Sequence, residues 1–579
     1  MKSPKSLIAV AVLAAAWTLP AGAATHHESS APGACRGDNG GLSLSPGFCA
    51  SVWADNLGHV RHLAVSSQGV VYANTWSGRY YHNDTPPPGG FVLALRDSAG
   101  AGRADEVQRI GPGQDEGATG GTGIALYKDY VYAEAGDSIV RYPLRDGAVS
   151  ADAKPEVVLS GMPLGGDHPM HPFVIDARGQ LFVDMGSASN ACQERNRTQG
   201  SSGQQPCDEL QTRAGIWRYD ANRTGQSFSP AQRWATGLRN SEGYAFDAGG
   251  RFFATQHGRD QLSQNWPELY QAEQGAELPA EELVQVEQDG DYGWPQCYYD
   301  ERQRKLVLAP EYGGDGGKAV GVCAQKKPPV AAFPAHWAPN DLLIADAKLP
   351  PAYRGGAFIA FHGSWNRAPA PQGGYNLVFQ PLKGGKAAGP WVVFADGFAG
   401  AVKEPGRAAF RPTGLAEGPD GALYVADDRH GRIWRIAYRG DPARAKVQAA
   451  PPASVAQPSA DALPPEGIHP DAGLPVPPGA TAEQVELGGR IFRGQVAGGT
   501  CLGCHGSDAK GSSVGPDLTS GSWVWGDGSL AAIASTIRNG VPSPKNFSGV
   551  MPPEGGAQLS DEQVQAVAAY VWAVGHRGK

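Results

Sequence analysis

The chain has 579 residues and a net charge of −8 without any basic run, which argues against nucleic acid as a partner. Glycine (80) and proline (47) are abundant and only 18% of residues are charged, a balance that favours turn-rich β structure over helical bundles. That length calls for more than one domain.

In chain order, Lys2 and Lys5 precede an apolar run from Leu7 to Leu19 and the small-residue site Ala21-Gly22-Ala23. This reads as an export signal over residues 1–23, leaving a periplasmic chain; no segment is long and apolar enough to predict a membrane span. A turn followed by a short apolar strand then recurs at roughly 50–70-residue intervals. It appears at Gln68-Gly69-Val70-Val71-Tyr72, Lys128-Asp129-Tyr130-Val131-Tyr132, Gly179-Gln180-Leu181-Phe182, Gly250-Arg251-Phe252-Phe253 and Asp420-Gly421-Ala422-Leu423-Tyr424. Gly355-Gly356-Ala357-Phe358-Ile359 falls in the one long gap and makes six. Short strands repeated radially predict an all-β six-bladed β-propeller over residues 24–440.

Six cysteines of this region fall into sequence-local pairs, Cys35/Cys49, Cys192/Cys207 and Cys297/Cys323, and are expected to be disulfides; pairing itself does not follow from sequence. Residues 441–480 are rich in Pro and Ala with no hydrophobic period and predict an extended tether.

Residues 481–579 read as a small all-α domain. Thr481-Ala482-Glu483-Gln484 and Ser560-Asp561-Glu562-Gln563 are capping boxes, the second opening a Val564, Val567, Ala568, Val571 stripe. Between them lies Cys501-Leu502-Gly503-Cys504-His505, the Cys-x-x-Cys-His attachment site of a c-type haem. Cys501 and Cys504 are candidates for the thioethers and His505 for the iron. Met551, the only methionine after Met185, is the candidate sixth ligand, with His576 and His469 as alternatives. His/Met ligation raises the iron potential and suits electron transfer. The whole resembles a class I cytochrome c domain.

The propeller carries a further set of motifs: Asp167-His168-Pro169-Met170-His171-Pro172, Gly237-Leu238-Arg239-Asn240-Ser241-Glu242-Gly243, Gln256-His257-Gly258-Arg259-Asp260, Asp291-Tyr292-Gly293-Trp294-Pro295, His362-Gly363-Ser364-Trp365-Asn366-Arg367 and Arg411-Pro412-Thr413. In this order, over roughly residues 45–440, they resemble the pyrroloquinoline-quinone (PQQ)-dependent soluble aldose dehydrogenases and their sorbosone dehydrogenase branch. The resemblance implies that His168 is the base taking the hydroxyl proton of the sugar, with Asp167 ordering the site or orienting the ring. It implies that Arg239 and Asn240 donate to the quinone oxygens, and that Arg411 pairs with a cofactor carboxylate. Calcium is expected on the main-chain carbonyls of Gly258 and Arg259, where an arginine stands in place of a more usual proline. The glucose-oxidising members have a lysine near His362–Ser364 and a second arginine where this chain has Thr413. His362 or Arg367 is expected in place of the lysine.

Together the two halves predict a quinohaemoprotein with PQQ, calcium and haem c. Electrons from an aldose or sugar aldehyde would reach the haem and then an external cytochrome, copper protein or oxidase. A calcium-dependent propeller hydrolase such as a lactonase, or a carbohydrate-binding propeller beside an electron-transfer domain, are the alternatives. A larger quinohaemoprotein alcohol dehydrogenase would carry adjacent cysteines, and this chain has none.

Overall fold

The structure, a computed structural model, describes residues 35, 37–75, 90–111, 120–145, 148–149, 154–345, 348–404, 407–452, 473–497, 499–506, 508–511, 515–542, 544–545, 547 and 550–577. The expected export signal and the middle of the Pro/Ala-rich stretch lie outside these residues.

Six sheets, each built on four antiparallel strands, form the blades of a β-propeller; two of them carry extra strands, Ser43–Leu44 in one and Ala148–Val149 and Gln226–Ser227 in the other. Each recurring turn-plus-strand motif is the hairpin joining the first and second strands of a blade. The second strands are Val71–Thr75, Tyr130–Ala135, Gln180–Met185, Phe252–Gln256, Ala357–Phe361 and Leu423–Asp427. The turns need a left-handed residue, which Gly179 (φ 86°) and Gly421 (φ 78°) supply.

Neighbouring residues of one strand face opposite sides, so each strand feeds two gaps between blades. Leu181 packs toward Tyr132 and Ile139 of the blade before, while Phe182 packs toward Tyr244 and Phe252 of the blade after. Phe253, one residue on, faces Leu342 and Ile359 of the following blade. Burial on both faces explains why these strands read as continuous apolar runs rather than as alternating ones.

The ring closes non-locally. Phe48–Ala54, from the start of the propeller, pairs antiparallel with Ile433–Tyr438 and becomes the outer strand of the last blade. Phe48 anchors this closure, edge-on to Tyr353 (5.1 Å), Phe394 (4.7 Å) and Tyr438 (4.9 Å). The three sequence-local cysteine pairs are disulfides.

The stretch from 441 does not leave the propeller at once. Ser45 Oγ and Ser43 Oγ donate to the carbonyls of Gln448 and Pro451, and the Ala450 amide donates to Val393 O. A tether beginning at 441 is therefore corrected: its first residues lie along the blade edge.

The C-terminal domain holds helices Ala482–Phe492, Cys501–His505, Leu530–Asn539 and Asp561–Gly575. Both expected capping boxes form, at Thr481/Gln484 and Ser560/Gln563. Leu530–Asn539 is additional to the expected helices; Ser529 caps it, and Ile533, Ala534 and Ile537 face inward. The first and last helices cross at Gly488, where any Cβ would run into the carbonyl of Ala566.

Phe48→Ala removes the aromatic that pins the closing strand. It should cost about 3–5 kcal/mol, measured as a lowered midpoint in denaturant unfolding followed by tryptophan fluorescence.

Candidate active site

Antiparallel hairpins place the start of each first strand and the end of each second strand on the same rim, nearest the propeller axis. The motif residues occupy those positions. His168 precedes the first strand Phe173–Ile175, Arg239 and Asn240 precede Tyr244–Phe246, and Arg411 precedes Pro412–Glu417. His257–Asp260 follow Phe252–Gln256, and His362–Asn366 follow Ala357–Phe361. Residues far apart in sequence thereby meet around one cavity of about 650 Å³.

His168 is buried, and its Nδ1 faces Ser187 O (2.9 Å) and Ser187 Oγ (3.0 Å). Nδ1–H donating to that carbonyl leaves Nε2 as the basic nitrogen. Burial, reinforced by Arg239 and Arg197, holds the ring well below its ordinary pKa, so it is neutral. Ring orientation thus belongs to Ser187. Asp167 orders the site instead, through Arg197 (2.9 Å).

Arg197 and Asp260 are the residues that sequence reasoning missed. Arg197 sits on the loop closed by Cys192–Cys207 and bridges Asp167 to Asp260 (3.0 Å). Asp260 also pairs with Arg239 (2.9 Å) and accepts from Asn366 Nδ2 (2.7 Å). Burial alone would raise the Asp260 carboxyl, but Arg239 and Arg197 outweigh it and hold it well below the usual carboxylate range.

Arg239 Nε donates to Asn190 O (3.0 Å), Nη1 to Gly258 O (3.1 Å), and Nη2 to Asn190 Oδ1 and Asp260 (2.9 Å each). Of its five N–H groups one, on Nη1, remains for a ligand. Asn240 Oδ1 is buried without a partner. Arg411 is fixed by the carbonyls of His362 (3.1 Å) and Gly363 (2.9 Å) and lines the cavity. His362 also lines it and bonds Asp428 Oδ1 (2.8 Å); burial pushes its ring down to about 4. Arg367 is not among the residues lining the cavity; its Nε and Nη1 donate to Pro371 O and Ala335 O. Of the two residues expected in place of the family lysine, only His362 reaches the cavity.

A planar tricarboxylate such as PQQ fits this wall, which offers an arginine N–H, a second arginine, the Nδ2 donor of Asn240 and a neutral histidine. Calcium fits less well. Gly258 O is present but shared with Arg239; the pairing of the Arg259 side chain with Glu311 (2.5 Å) and Asn265 (2.8 Å) does not bear on its main-chain carbonyl, the expected ligand. Among the described residues no group of three or more His, Cys, Asp or Glu is placed to hold a metal. A hard cation seeking six to eight oxygens would need most of them from the cofactor.

The same cavity continues into the C-terminal domain, where Phe492, Ile537, Val541, Met551 and Val567 make an apolar wall beside Cys501, Cys504 and His505. Cys501 and Cys504 are the free cysteines among the described residues. His505 Nδ1 lies 2.9 Å from Pro516 O, which leaves Nε2 for iron; burial lowers its pKa and keeps it in the neutral, ligating form. These residues fit haem c. Met551 is held by a two-way backbone bridge to Val541 and faces this cavity. His576 is instead stacked on Trp572 (3.8 Å), and His469 lies outside the described residues.

The fold and the paired sites define an oxidoreductase built from a sugar-dehydrogenase-like propeller and a cytochrome c domain. The chain belongs to the TrAA12-like family, whose model matches residues 42–439. A model of the cbb3-type cytochrome c oxidase subunit III matches residues 484–571. Among solved structures, the Trichoderma reesei carbohydrate-active enzyme family AA12 protein superposes with a TM-score of 0.55 at 19% identity, over 69% of this chain and 98% of its own. The PQQ domain of Coprinopsis cinerea pyranose dehydrogenase gives 0.53 at 18%, over 68% and 96%; at these identities the likeness is one of fold. The C-terminal domain is similar to FixP of Rhizobium etli (35% identity over 103 residues, 16% of this chain and 35% of FixP). It is also similar to CcoP of Rhodobacter capsulatus (39% over 89 residues, 14% and 28%). The chain spans about a third of the length of these curated relatives.

Asp260→Asn leaves the buried Arg239 without its counter-charge, while Arg197 keeps Asp167. We expect a loss of about 3–5 kcal/mol, read as a fall in unfolding midpoint, together with weakened PQQ binding in a fluorescence titration.

Proposed function

We propose that this chain is a periplasmic quinohaemoprotein that oxidises an aldose or sugar aldehyde and passes the electrons through its own haem to an external cytochrome, copper protein or oxidase. The observation that carries this reading is the single cavity lined at one end by His168, Arg239 and Arg411 and at the other by Cys501, Cys504, His505 and Met551. Bound PQQ would supply a two-electron acceptor and haem c a one-electron carrier.

The residues have separable tasks. His168 Nε2 takes the proton of the anomeric hydroxyl, while Ser187 keeps the opposite nitrogen protonated and the ring aimed. Arg239 and Asn240 hold the quinone end of the cofactor, Arg411 a carboxylate, and His362 stands where relatives place a lysine. Asp167 acts through Arg197 to fix this arrangement. A lactonase would have no use for the Arg239–Asn240 pair or for the haem pocket opening onto it. The three disulfides agree with an oxidising compartment.

The decisive experiment adds PQQ, calcium and a panel of aldoses and aldehydes to the haem-loaded protein under anaerobic conditions and follows the haem α-band. Reduction that requires both PQQ and sugar supports the reading; a haem that stays ferric with every sugar yet is reduced by dithionite refutes it. His168→Ala should lower sugar turnover by at least about 100-fold while leaving dithionite reduction of the haem intact.

The pH dependence follows from the lowered His168 pKa. The base is active when neutral, and its folded pKa lies well below 6.5. Turnover should therefore be flat from pH 6.5 upward as far as His168 governs it, with the acid limb of a kcat/KM profile falling below 6.5.

A further inference from the structure

The cytochrome domain meets the propeller rim through glycines. Gly503, between the two haem cysteines, lies so close to Trp365 that a Cβ on it would stand 2.6 Å from the indole Cε3 and 2.8 Å from the Trp365 carbonyl oxygen. Gly494 meets Ala368 in the same way, at 2.6 Å from its Cβ, and Gly556 abuts the side-chain amide of Gln261. Gly494 and Gly556 have φ of 74° and 78°, conformations that themselves favour glycine. Gly503 does not. It lies in the helix Cys501–His505, where alanine would be better by about 0.5–1 kcal/mol. Its lack of a side chain matches the contact with Trp365.

Trp365 is well placed to be a seat. Two residues of its own loop are tied into the quinone wall, His362 to Asp428 (2.8 Å) and Asn366 to Asp260 (2.7 Å). Trp365 itself lines the cavity together with Cys501, Gly503 and Cys504.

We propose that the Trp365–Gly503 contact is the docking seat of the haem-attachment helix and sets the gap that electrons cross between quinone and haem. The proposal rests on the quinohaemoprotein reading for its redox part, while the docking part stands on geometry. Trp365 is a positioning residue here and is not itself oxidised. Each sugar oxidised releases two electrons and two protons. Haem c held by Cys501, Cys504 and His505 would carry these electrons one at a time to a one-electron external acceptor, and the protons pass to solvent.

Gly503→Ala tests this in the full haem-loaded chain, because alanine suits the helix but collides with Trp365. The haem spectrum and the unfolding midpoint of the cytochrome domain should be unchanged. Hydrogen exchange, which needs neither sugar nor quinone, should rise several-fold at the amides of residues 362–368. Mixing with chemically reduced PQQ at saturation should reduce the haem at least tenfold more slowly than in the wild type. Trp365→Leu, which empties the seat from the other side, should raise exchange in residues 501–505. Unaltered exchange in both variants would overturn the docking seat. Raised exchange with an unchanged rate of haem reduction would overturn its control of the electron gap. A wild-type haem reduced by PQQ quinol but by no sugar would count against the substrate reading alone.

Discussion

The site depends on one largely enclosed carboxylate, that of Asp260. Asp260 joins Arg239 at the start of one blade, Arg197 on a disulfide-closed loop of the blade before, and Asn366 at the end of a strand in the blade after. An isolated carboxylate at this depth would be costly and would take up a proton. Two guanidinium groups reverse that preference, and in return Asp260 fixes both of them. Arg197 carries the constraint on to Asp167, next to His168, so the positions of His168 and Arg239 are set by the same charge network.

The propeller makes such a network possible. Its side chains are packed blade against blade by strands buried on both faces, which leaves the polar groups to gather at the rim around the axis. There five of the six blades contribute residues more than 200 positions apart in sequence, such as His168 and Arg411, to one wall. The cytochrome domain adds the other wall. The consequence is a shared cavity in which the apolar pocket beside Cys501, Cys504 and His505 opens toward the charged pocket of the propeller.

Much of this was legible in the sequence, for identifiable reasons. The blade repeat shows because every first hairpin needs a left-handed turn followed by a strand buried on both sides. The haem site shows because its two thiols and imidazole must be local. Helix starts at Thr481 and Ser560 show because capping is a short-range effect. Arg197 and Asp260 were not legible as partners: they are 63 positions apart, and their pairing comes from blade adjacency, which no local pattern records. Ser187 was hidden for the same reason, since a serine that orients a histidine 19 positions away has no distinctive signature. Arg367 looked equivalent to His362 because sequence does not reveal which side of the loop faces the cavity. The Trp365–Gly503 contact lies between domains, beyond the reach of any motif.

The central claim is that the haem is filled from the quinone site of its own chain. Its most direct test is the rate of substrate-driven haem reduction across a hundredfold range of protein concentration, with PQQ and sugar saturating. Intramolecular transfer predicts a first-order rate that does not change with dilution. A rate that falls in proportion to protein concentration would contradict it, because electrons would then be passing between separate molecules.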